Sequence, residues 1–345
     1  MAEPAPPMPA PTISQAPLPQ APVLNVEGLT VRFAGAPAAV VEDVGFSVAR
    51  GRTLAIVGES GCGKSVTSLA LMGLLPPAAR VAGRAVFAGG VDLLDMPPRA
   101  RADLRGDRVA MIFQEPMTSL NPAFTIGDQI AESVVRHRGA TARDARARAL
   151  AMLDLVRIPA AAERLDAYPH EMSGGMRQRA MIAMALANDP ALVIADEPTT
   201  ALDVTIQAQI LALLAGLQRD TGTAVILITH DLGVVAEVAD DVVVMYAGRA
   251  VEGGPVSALF DDPQHPYTIG LMGAMPALGR RTGRLATIPG AVPLPADMPP
   301  GCRFATRCPF ADARCAAERP PVRAFGAGHG AACWHAPIEG FGVAA

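Results

Sequence analysis

The chain of 345 residues is almost without lysine: of its 29 lysine and arginine residues, only Lys64 is a lysine. Aromatic residues are also scarce, at 4%. No apolar run approaches the roughly 20 residues that a membrane-spanning helix needs. The N-terminus lacks the basic and then apolar layout of a signal peptide. We therefore expect a soluble cytosolic protein, which can still dock on subunits that span a membrane.

Charged residues make up only 18% of the chain, and its net charge is −4. Such a balance argues against a basic nucleic-acid-binding surface, so we expect no nucleic-acid partner. Half of the residues are hydrophobic, which is enough for a large core, and the length suggests about two domains. Residues 1–22 are rich in proline and alanine and lack periodicity, so we expect a disordered tail there.

The single lysine lies in a glycine-rich segment that a predicted strand (54–57) precedes and a predicted helix (66–74) follows. The segment consists of Gly58, Glu59, Ser60, Gly61, Cys62, Gly63, Lys64 and Ser65. In this context the pattern indicates a phosphate-binding loop, because its glycines let backbone N–H groups turn toward an anion. Lys64 would reach the β- and γ-phosphates of a nucleotide, and Ser65 would ligate Mg²⁺. The alternative, a glycine-rich turn with a chance lysine, is disfavoured by the flanking strand and helix.

Polar residues follow three predicted buried strands: Gln114 after 108–113, Asp196 and Glu197 after 191–195, and Thr229, His230 and Asp231 after 223–228. Ligand sites lie at the carboxyl ends of parallel strands. We interpret Asp196 as a Mg²⁺-associated acid and Glu197 as the base that takes a proton from the attacking water. Gln114 is a candidate to touch the metal or that water. Taken singly, Gln114 fits an ordinary loop residue and His230 a structural histidine.

Between about 126 and 186 the strand patterns give way to helical spacing at 127–138, 141–157 and 175–187. Ser173, Gly174 and Gly175 open the last of these helices, an arrangement that suits either anion binding or simple helix capping. Strands are expected at 24–33, 39–48 and 84–94, a loop at Pro97-Pro98, a helix at 204–219 and a hairpin at 242–252. Phe33, at the end of the first strand, can stack on an adenine ring or serve as an ordinary strand aromatic.

In this order the motifs resemble those of the ATPase subunits of ATP-binding-cassette (ABC) transporters, over about residues 23–258. The resemblance assigns the phosphate loop (58–65), the glutamine loop (Gln114), the signature (172–176), the loop at 201–203 and the switch histidine (His230). It implies an α/β fold of the P-loop NTPase class with a helical subdomain at about 116–189. It also implies binding of ATP and Mg²⁺, with Asp203 lining the nucleotide site. Two subunits then pack head to tail, so that Lys64 of one faces Ser173 of the other across ATP.

Segments 114–122 and 171–179 resemble the oligopeptide/dipeptide importer branch of that family, and residues 265–345 are similar to its C-terminal extension. The signature carries methionine at 172 and 176 instead of the general leucine and glutamine, a variant expected in this branch. The resemblance implies an ATPase that drives uptake of dipeptides and oligopeptides, peripheral on the cytoplasmic face of the inner membrane. Its implied partners are a second, similar ATPase chain, two permeases and a substrate-binding protein. Nickel or sugar cargo is an alternative, and a soluble ABC ATPase acting on DNA or ribosomes is a more distant one.

Four of the five cysteines lie in the C-terminal extension, 259–345, with 5, 6 and 17 residues between successive members: Cys302, Cys308, Cys315 and Cys333. A cytosolic protein does not rely on disulfides, so a metal site is expected, with four unrelated thiols as the alternative. The spacing differs from the paired C-x₂-C of a zinc ribbon and is compatible with a [4Fe–4S] cluster. Similarity to cluster-containing members of the branch favours iron–sulfur over Zn²⁺. His329 and His335 flank the last cysteine and are candidate substitute ligands.

Overall fold

The computed structural model describes residues 21–115, 119–199, 204–275, 287–326 and 328–338. The predicted tail at 1–22 falls almost wholly outside these residues. The segment 116–118 next to the glutamine loop and the loop at 201–203, with Asp203, fall outside them too. The chain divides into two compact units. Unit 1 comprises residues 1–47, 54–95 and 229–345, and unit 2 comprises residues 48–53 and 96–228.

Strands and helices are numbered in chain order. The described strands are β1 (Leu24–Phe33), β2 (Val41–Val48), β3 (Thr53–Val57), β4 (Ala79–Phe87), β5 (Val91–Asp92), β6 (Val109–Ile112), β7 (Leu192–Asp196), β8 (Ala224–Thr229), β9 (Asp241–Tyr246), β10 (Arg249–Pro255), β11 (Arg323–Ala324) and β12 (Gly330–Ala331). The described α-helices are α1 (Lys64–Met72), α2 (Pro98–Leu104), α3 (Ile126–Arg138), α4 (Ala142–Leu155), α5 (Ala161–Arg164), α6 (Gly174–Leu186), α7 (Val204–Thr221), α8 (Leu232–Val238), α9 (Val256–Asp261), α10 (Pro266–Gly273) and α11 (Ala313–Ala317). None of these described helices is both long and apolar enough to cross a membrane.

Unit 1 holds two groups of strands. An antiparallel group runs in the order β2-β1-β4-β5, and most of the apolar residues of β1 are buried at alternate positions, as the sequence pattern predicts. The other group runs in the order β11-β12-β10-β9-β3, in which β3 and β9 are parallel and the remaining pairs are antiparallel. The phosphate loop follows β3 directly, so its first residue, Gly58, is attached to a strand that is buried at every position.

The core of unit 1 combines the apolar faces of β3, β9 and α8 with residues from the C-terminal extension. Tyr246 of β9 and Tyr267 of α10 are fully buried, with ring centroids 4.7 Å apart in an edge-to-face arrangement. Phe304 lies edge-on to Tyr246, at a centroid distance of 5.1 Å. Such pairs stabilise the fold by about 0.5–1.5 kcal/mol each beyond the burial of their area. The extension therefore shares a core with the phosphate-loop strand.

Unit 2 contains the buried parallel strands β6, β7 and β8, with β7 in the centre. Helices α3, α4 and α6 pack against one another, and they form where helical spacing predicts them, at 127–138, 141–157 and 175–187. A side-chain hydroxyl caps each of these helices at its N-terminus: Thr125, Thr141 and Ser173. The loop predicted at Pro97-Pro98 is wrong in part, because Pro98 begins α2. Proline suits the first helical position, where its missing N–H has no intrahelical partner.

Candidate functional site

Residues 58–63 form a tight loop between β3 and α1, and Lys64 and Ser65 begin α1, in the predicted order of strand, loop and helix. Gly58 has a φ of 150°, and a Cβ atom there would lie 2.2 Å from the carbonyl oxygen of Met245. Gly63 has a φ of 98° and caps α1. Both positions therefore require glycine. The start of α1 carries the positive end of the helix dipole, which makes the loop a suitable cradle for a phosphate.

Lys64 is the first residue of α1, directly after this loop, and is 5% exposed. Its Nζ atom donates hydrogen bonds to the carbonyl oxygens of Gly58, at 2.8 Å, and Glu59, at 3.1 Å. Three donors on a compact ammonium suit this confined position better than a planar guanidinium would. The one lysine of the chain is thus held where an anion entering the loop would meet it.

Cys62 is fully buried in the same loop, and its carbonyl oxygen accepts a hydrogen bond from the N–H of Gly248, at 2.9 Å. Burial raises the pKa of the Cys62 thiol. The thiol therefore stays protonated at neutral pH and is poorly suited to redox chemistry. Its place is that of a small space-filling residue between the loop and the turn after β9.

In unit 2, Gln114 and Glu197 come together at the ends of β6 and β7. The side-chain amide of Gln114 donates to the Glu197 carboxylate, with Nε2 and Oε2 3.2 Å apart. Glu197 has a φ of 48°, an unusual backbone conformation for a residue other than glycine. Its N–H donates to the carbonyl oxygen of Ile228, at 3.0 Å. Asp196, the last residue of β7, is 4% exposed.

The predicted signature begins α6 at the surface of unit 2. The Ser173 hydroxyl accepts a hydrogen bond from the N–H of Met176, at 3.3 Å, so the capping interpretation is confirmed for this serine. Ser173 and Gly174 are exposed, and a Cβ atom at Gly174 or Gly175 would meet nothing within 4 Å. This open space beside the helix start leaves room for an anion carried by another molecule.

Two further predicted site residues lie in unit 1. His230 directly follows β8 and is exposed, and the next residue, Asp231, caps α8. Phe33 ends β1 and is half-buried, paired in register with Ala79. Asp203 falls outside the described residues.

Comparison with known proteins decides the family. The sequence profile described as "ABC transporter" matches residues 41–200, and that described as "Oligopeptide/dipeptide transporter, C-terminal region" matches residues 251–315. Over 302 residues the chain is 52% identical to a protein of Brucella abortus (strain 2308) named "Putative peptide import ATP-binding protein", covering 87% of this chain and 91% of that protein. This chain belongs to the ABC transporter ATPase family.

Other relatives agree with this assignment. A second relative named as a putative peptide import ATP-binding protein, from Brucella melitensis biotype 1, is 52% identical over 328 residues, covering 90% of this chain and 96% of that protein. The ATP-binding cassette MJ0796, solved as a dimer in a post-hydrolysis state with ADP and Pi, matches with a TM-score of 0.61 and 26% identity. The match covers 68% of this chain and 98% of the MJ0796 chain. The cbiO1 structure from Clostridium perfringens, part of the ABC transporter complex cbiONQ, matches with a TM-score of 0.60 and 26% identity. That match covers 70% of this chain and 92% of the cbiO1 chain.

The α/β P-loop fold and the ATPase activity expected of this ABC ATPase are therefore confirmed. The roles assigned to the individual site residues stay predictions.

The four tail cysteines of the ABC ATPase line one small cavity in unit 1, together with His335. All four are free thiols. Burial raises the pKa of each thiol, to about 11 for Cys308, so binding a metal there would displace protons. Of the two flanking histidines, His335 contacts the Cys315 Sγ atom, at 3.5 Å, whereas His329 is paired with Glu252, at 2.8 Å.

The structure also brings two residues to the phosphate loop that the sequence did not indicate. The Tyr267 hydroxyl accepts a hydrogen bond from the N–H of Glu59, at 2.8 Å. The Arg307 guanidinium pairs with the Glu59 carboxylate. The segment 265–268 is indicated only through its resemblance to the importer branch, and no sequence pattern singles out Arg307. That resemblance does not indicate a contact with a loop more than 200 residues away.

Proposed function

We propose that this ABC ATPase powers an importer of dipeptides and oligopeptides, coupling ATP binding and hydrolysis to uptake across the cytoplasmic membrane. One observation carries the proposal: a complete phosphate loop and a region matching the C-terminal region of oligopeptide/dipeptide transporters occur in the same chain. The relatives named as peptide import ATP-binding proteins support the same class of cargo.

In the proposed reaction, Lys64 and the loop N–H groups neutralise the β- and γ-phosphates of ATP. Mg²⁺, when bound, would spread the remaining phosphate charge, and Ser65, Asp196 and Gln114 are the residues that would hold it. The carboxylate and hydroxyl oxygens among them are the donors that Mg²⁺ prefers. The structure supports this set through the placement of Asp196 at the carboxyl end of a buried parallel strand.

Glu197 is the proposed base, which takes a proton from the attacking water. The Gln114 amide holds its carboxylate in one orientation, and the unusual backbone conformation of Glu197 is the kind of strain that clusters at active sites. His230 would hold the γ-phosphate and the water, Phe33 would stack on the adenine ring, and Asp203 would line the nucleotide site.

A second ATPase chain completes the site in this proposal. Ser173 and Gly174 are exposed and Gly175 is half-buried at the start of α6, with open space beside both glycines. This arrangement supports a contact with the γ-phosphate bound to the partner chain. We propose that the partner is a different but similar chain. The pair would sit on two permease subunits at the cytoplasmic face of the inner membrane, and a substrate-binding protein would deliver the cargo.

We further propose a [4Fe–4S] cluster held by Cys302, Cys308, Cys315 and Cys333. Four thiols around one cavity are the donor set that such a cluster uses. A Zn²⁺ ion bound to four thiolates at about 2.3 Å needs sulfur atoms about 3.8 Å apart. No three of these described cysteines lie within 4.8 Å of one another. Zn²⁺ remains the alternative, with Asp312, Cys315 and His335 as ligands, because these three are that close.

Reconstitution of the complete complex in lipid vesicles tests the proposed transport. With the binding protein supplied outside, we expect ATP-dependent uptake of labelled dipeptides and oligopeptides, which Glu197→Gln abolishes. Uptake of nickel or sugars but not of peptides would show that the cargo is not the proposed one. ATP turnover that neither the permeases nor any cargo affects would favour the non-transport ATPase.

A further inference from the structure

Glu59, the only acidic residue of the phosphate loop, is held by two residues of the C-terminal extension. Its carboxylate forms a two-pronged pair with Arg307, with Nη1–Oε2 and Nη2–Oε1 distances of 2.5 and 3.0 Å. The Arg307 side chain is 4% exposed and that of Glu59 29%. Paired contacts of this geometry are among the stronger charged interactions in proteins, and only arginine offers the planar fork that makes them.

The Arg307 guanidinium is itself held by further contacts. Its Nε atom donates to the carbonyl oxygen of Pro289, at 2.9 Å, and Nη2 donates to that of Ile288, at 3.1 Å. The guanidinium carbon lies 5.7 Å from the ring centroid of Tyr246, within the range of a cation–π contact. Because its contacts determine its position, Arg307 can hold Glu59 without losing much side-chain freedom when it does so.

The main chain of Glu59 is held separately. The buried Tyr267 hydroxyl accepts the Glu59 N–H, and the Tyr267 ring packs against Tyr246 and Phe304 in the core of unit 1. One loop residue is therefore fixed at its backbone by α10 and at its side chain by the segment between Cys302 and Cys308.

An unpaired carboxylate in this loop would oppose the binding of a triphosphate, since like charges close together repel. A loop with several glycines also loses conformational freedom when it closes on a ligand, and holding it in place beforehand reduces that loss. Arg307 addresses both effects, because it neutralises Glu59 and limits the movement of the loop.

We propose that Arg307 is a positioning residue for ATP binding, so that the C-terminal extension sets the nucleotide affinity of the phosphate loop. Tyr267 supports this role by holding the backbone N–H of Glu59. This inference rests on the proposed role of residues 58–65 in binding ATP and adds a residue that acts through Glu59 rather than by touching the nucleotide.

The test is a titration of the purified full chain with a fluorescent ATP analogue and Mg²⁺, together with ATP turnover in the assembled complex. We expect Arg307→Ala to weaken binding and raise KM by at least about tenfold. The change in kcat should stay within about threefold, because the chemical groups are untouched. Arg307→Lys keeps the charge and loses the planar fork, so its nucleotide affinity should lie between those of Arg307→Ala and the unmodified protein. Tyr267→Phe should weaken binding by about threefold or more.

The double variant Arg307→Ala/Glu59→Gln separates positioning from simple structural support. Removing the unpaired charge should restore the affinity to within about threefold of the unmodified protein. A merely structural role predicts no such recovery. The matched control is Arg319→Ala, which removes another arginine of the extension, paired with Asp43 at 2.9 Å and far more exposed. It should leave the affinity unchanged.

Equal affinities for Arg307→Ala and Arg319→Ala would overturn the proposal, and so would a weak Arg307→Ala variant that Glu59→Gln does not rescue. Lys64→Ala distinguishes these failures from failure of the underlying site. If Lys64→Ala still binds the analogue normally, the phosphate-loop assignment itself is wrong. If it abolishes binding while Arg307→Ala does not change it, only the role of Arg307 is refuted.

Discussion

The Gln114 side-chain amide donates a hydrogen bond to the Glu197 carboxylate across a distance of 3.2 Å. The two residues are 83 positions apart in the chain. They meet because β6 and β7 are parallel neighbours and each residue lies just beyond the carboxyl end of its strand. The amide can orient the carboxylate without donating a full charge to it. In the proposed reaction, Gln114 therefore orients the carboxylate that accepts the proton.

Replacing Glu197 by glutamine should stop the proton transfer while keeping the shape of the site. We expect ATP turnover by the assembled complex to fall by at least about a hundredfold, the range typical of a general base. ATP binding should persist and hold two ATPase subunits together. Turnover and the fraction of paired subunits, measured by size-exclusion chromatography with ATP, check this. The control Glu163→Gln alters an exposed glutamate at the start of α5 and should have no effect. Unchanged turnover in Glu197→Gln would remove Glu197 as the base.

Lys64→Arg tests whether the loop needs a compact ammonium. The Lys64 Nζ atom lies 2.8 Å from the Gly58 carbonyl oxygen in a buried position, where the broader guanidinium does not fit without moving the loop. We expect ATP binding to weaken by at least about tenfold, measured by titration with an ATP analogue. The reciprocal control is Arg50→Lys, at an exposed arginine that donates to the Thr221 carbonyl oxygen. Equal binding by the Lys64→Arg and Arg50→Lys variants would contradict this prediction.

Anaerobic purification tests the tail cysteines. If they hold a [4Fe–4S] cluster, the protein should contain about four irons per chain and absorb broadly near about 400 nm. Cys308→Ser should lose both signals, whereas His335→Ala should keep them. Stoichiometric zinc that is lost in His335→Ala and kept in Cys308→Ser would instead identify the site with Asp312, Cys315 and His335.

The stability of the protein should depend on pH through His265. Burial lowers the pKa of His265 from 6.5 to about 4, and its neutral Nδ1 atom accepts a hydrogen bond from the Tyr267 N–H, at 3.1 Å. Between these two pH values the unfolded chain binds a proton that the folded chain does not. The free energy of unfolding therefore falls as the pH drops from about 6.5 to about 4, by at most about 3 kcal/mol.

The variant His265→Asn keeps an acceptor at the start of α10 and removes the titration. We expect its Tm to fall less than that of the unmodified protein when the pH is lowered from about 7 to about 5. His170→Asn, at an exposed histidine, should retain the original pH dependence and is the control. Identical pH profiles for His265→Asn and the unmodified protein would show that another group is responsible.

Much of the site was predictable because its signals are local. The strands before Gly58, Gln114, Asp196 and His230 all form where the apolar runs predict them. Parallel pairing of β6 with β7 then places Gln114 beside Glu197, as the rule about carboxyl ends anticipates. The Pro97-Pro98 loop was a partial error for an equally local reason, since proline both ends and begins helices.

The contacts between the C-terminal extension and the phosphate loop were not predictable in this way. Glu59 lies 208 positions from Tyr267 and 248 from Arg307. No periodicity of the sequence relates segments so far apart, because their contact depends on how α10 and the cysteine-containing segment pack on the core. The same holds for the four thiols: their spacing suggested a shared site, but only the fold could bring them to one cavity.

By itself, the amino-acid sequence determined the glycine-rich loop with its single lysine, the polar residues that follow buried strands and the serine that begins α6. These features are set by backbone geometry and by side chains a few positions apart. Tertiary structure alone decided that Tyr267 and Arg307 hold Glu59 and that Gln114 orients Glu197. Such contacts join residues far apart in the chain, so they exist only once hydrophobic burial has assembled the strands and helices that carry them.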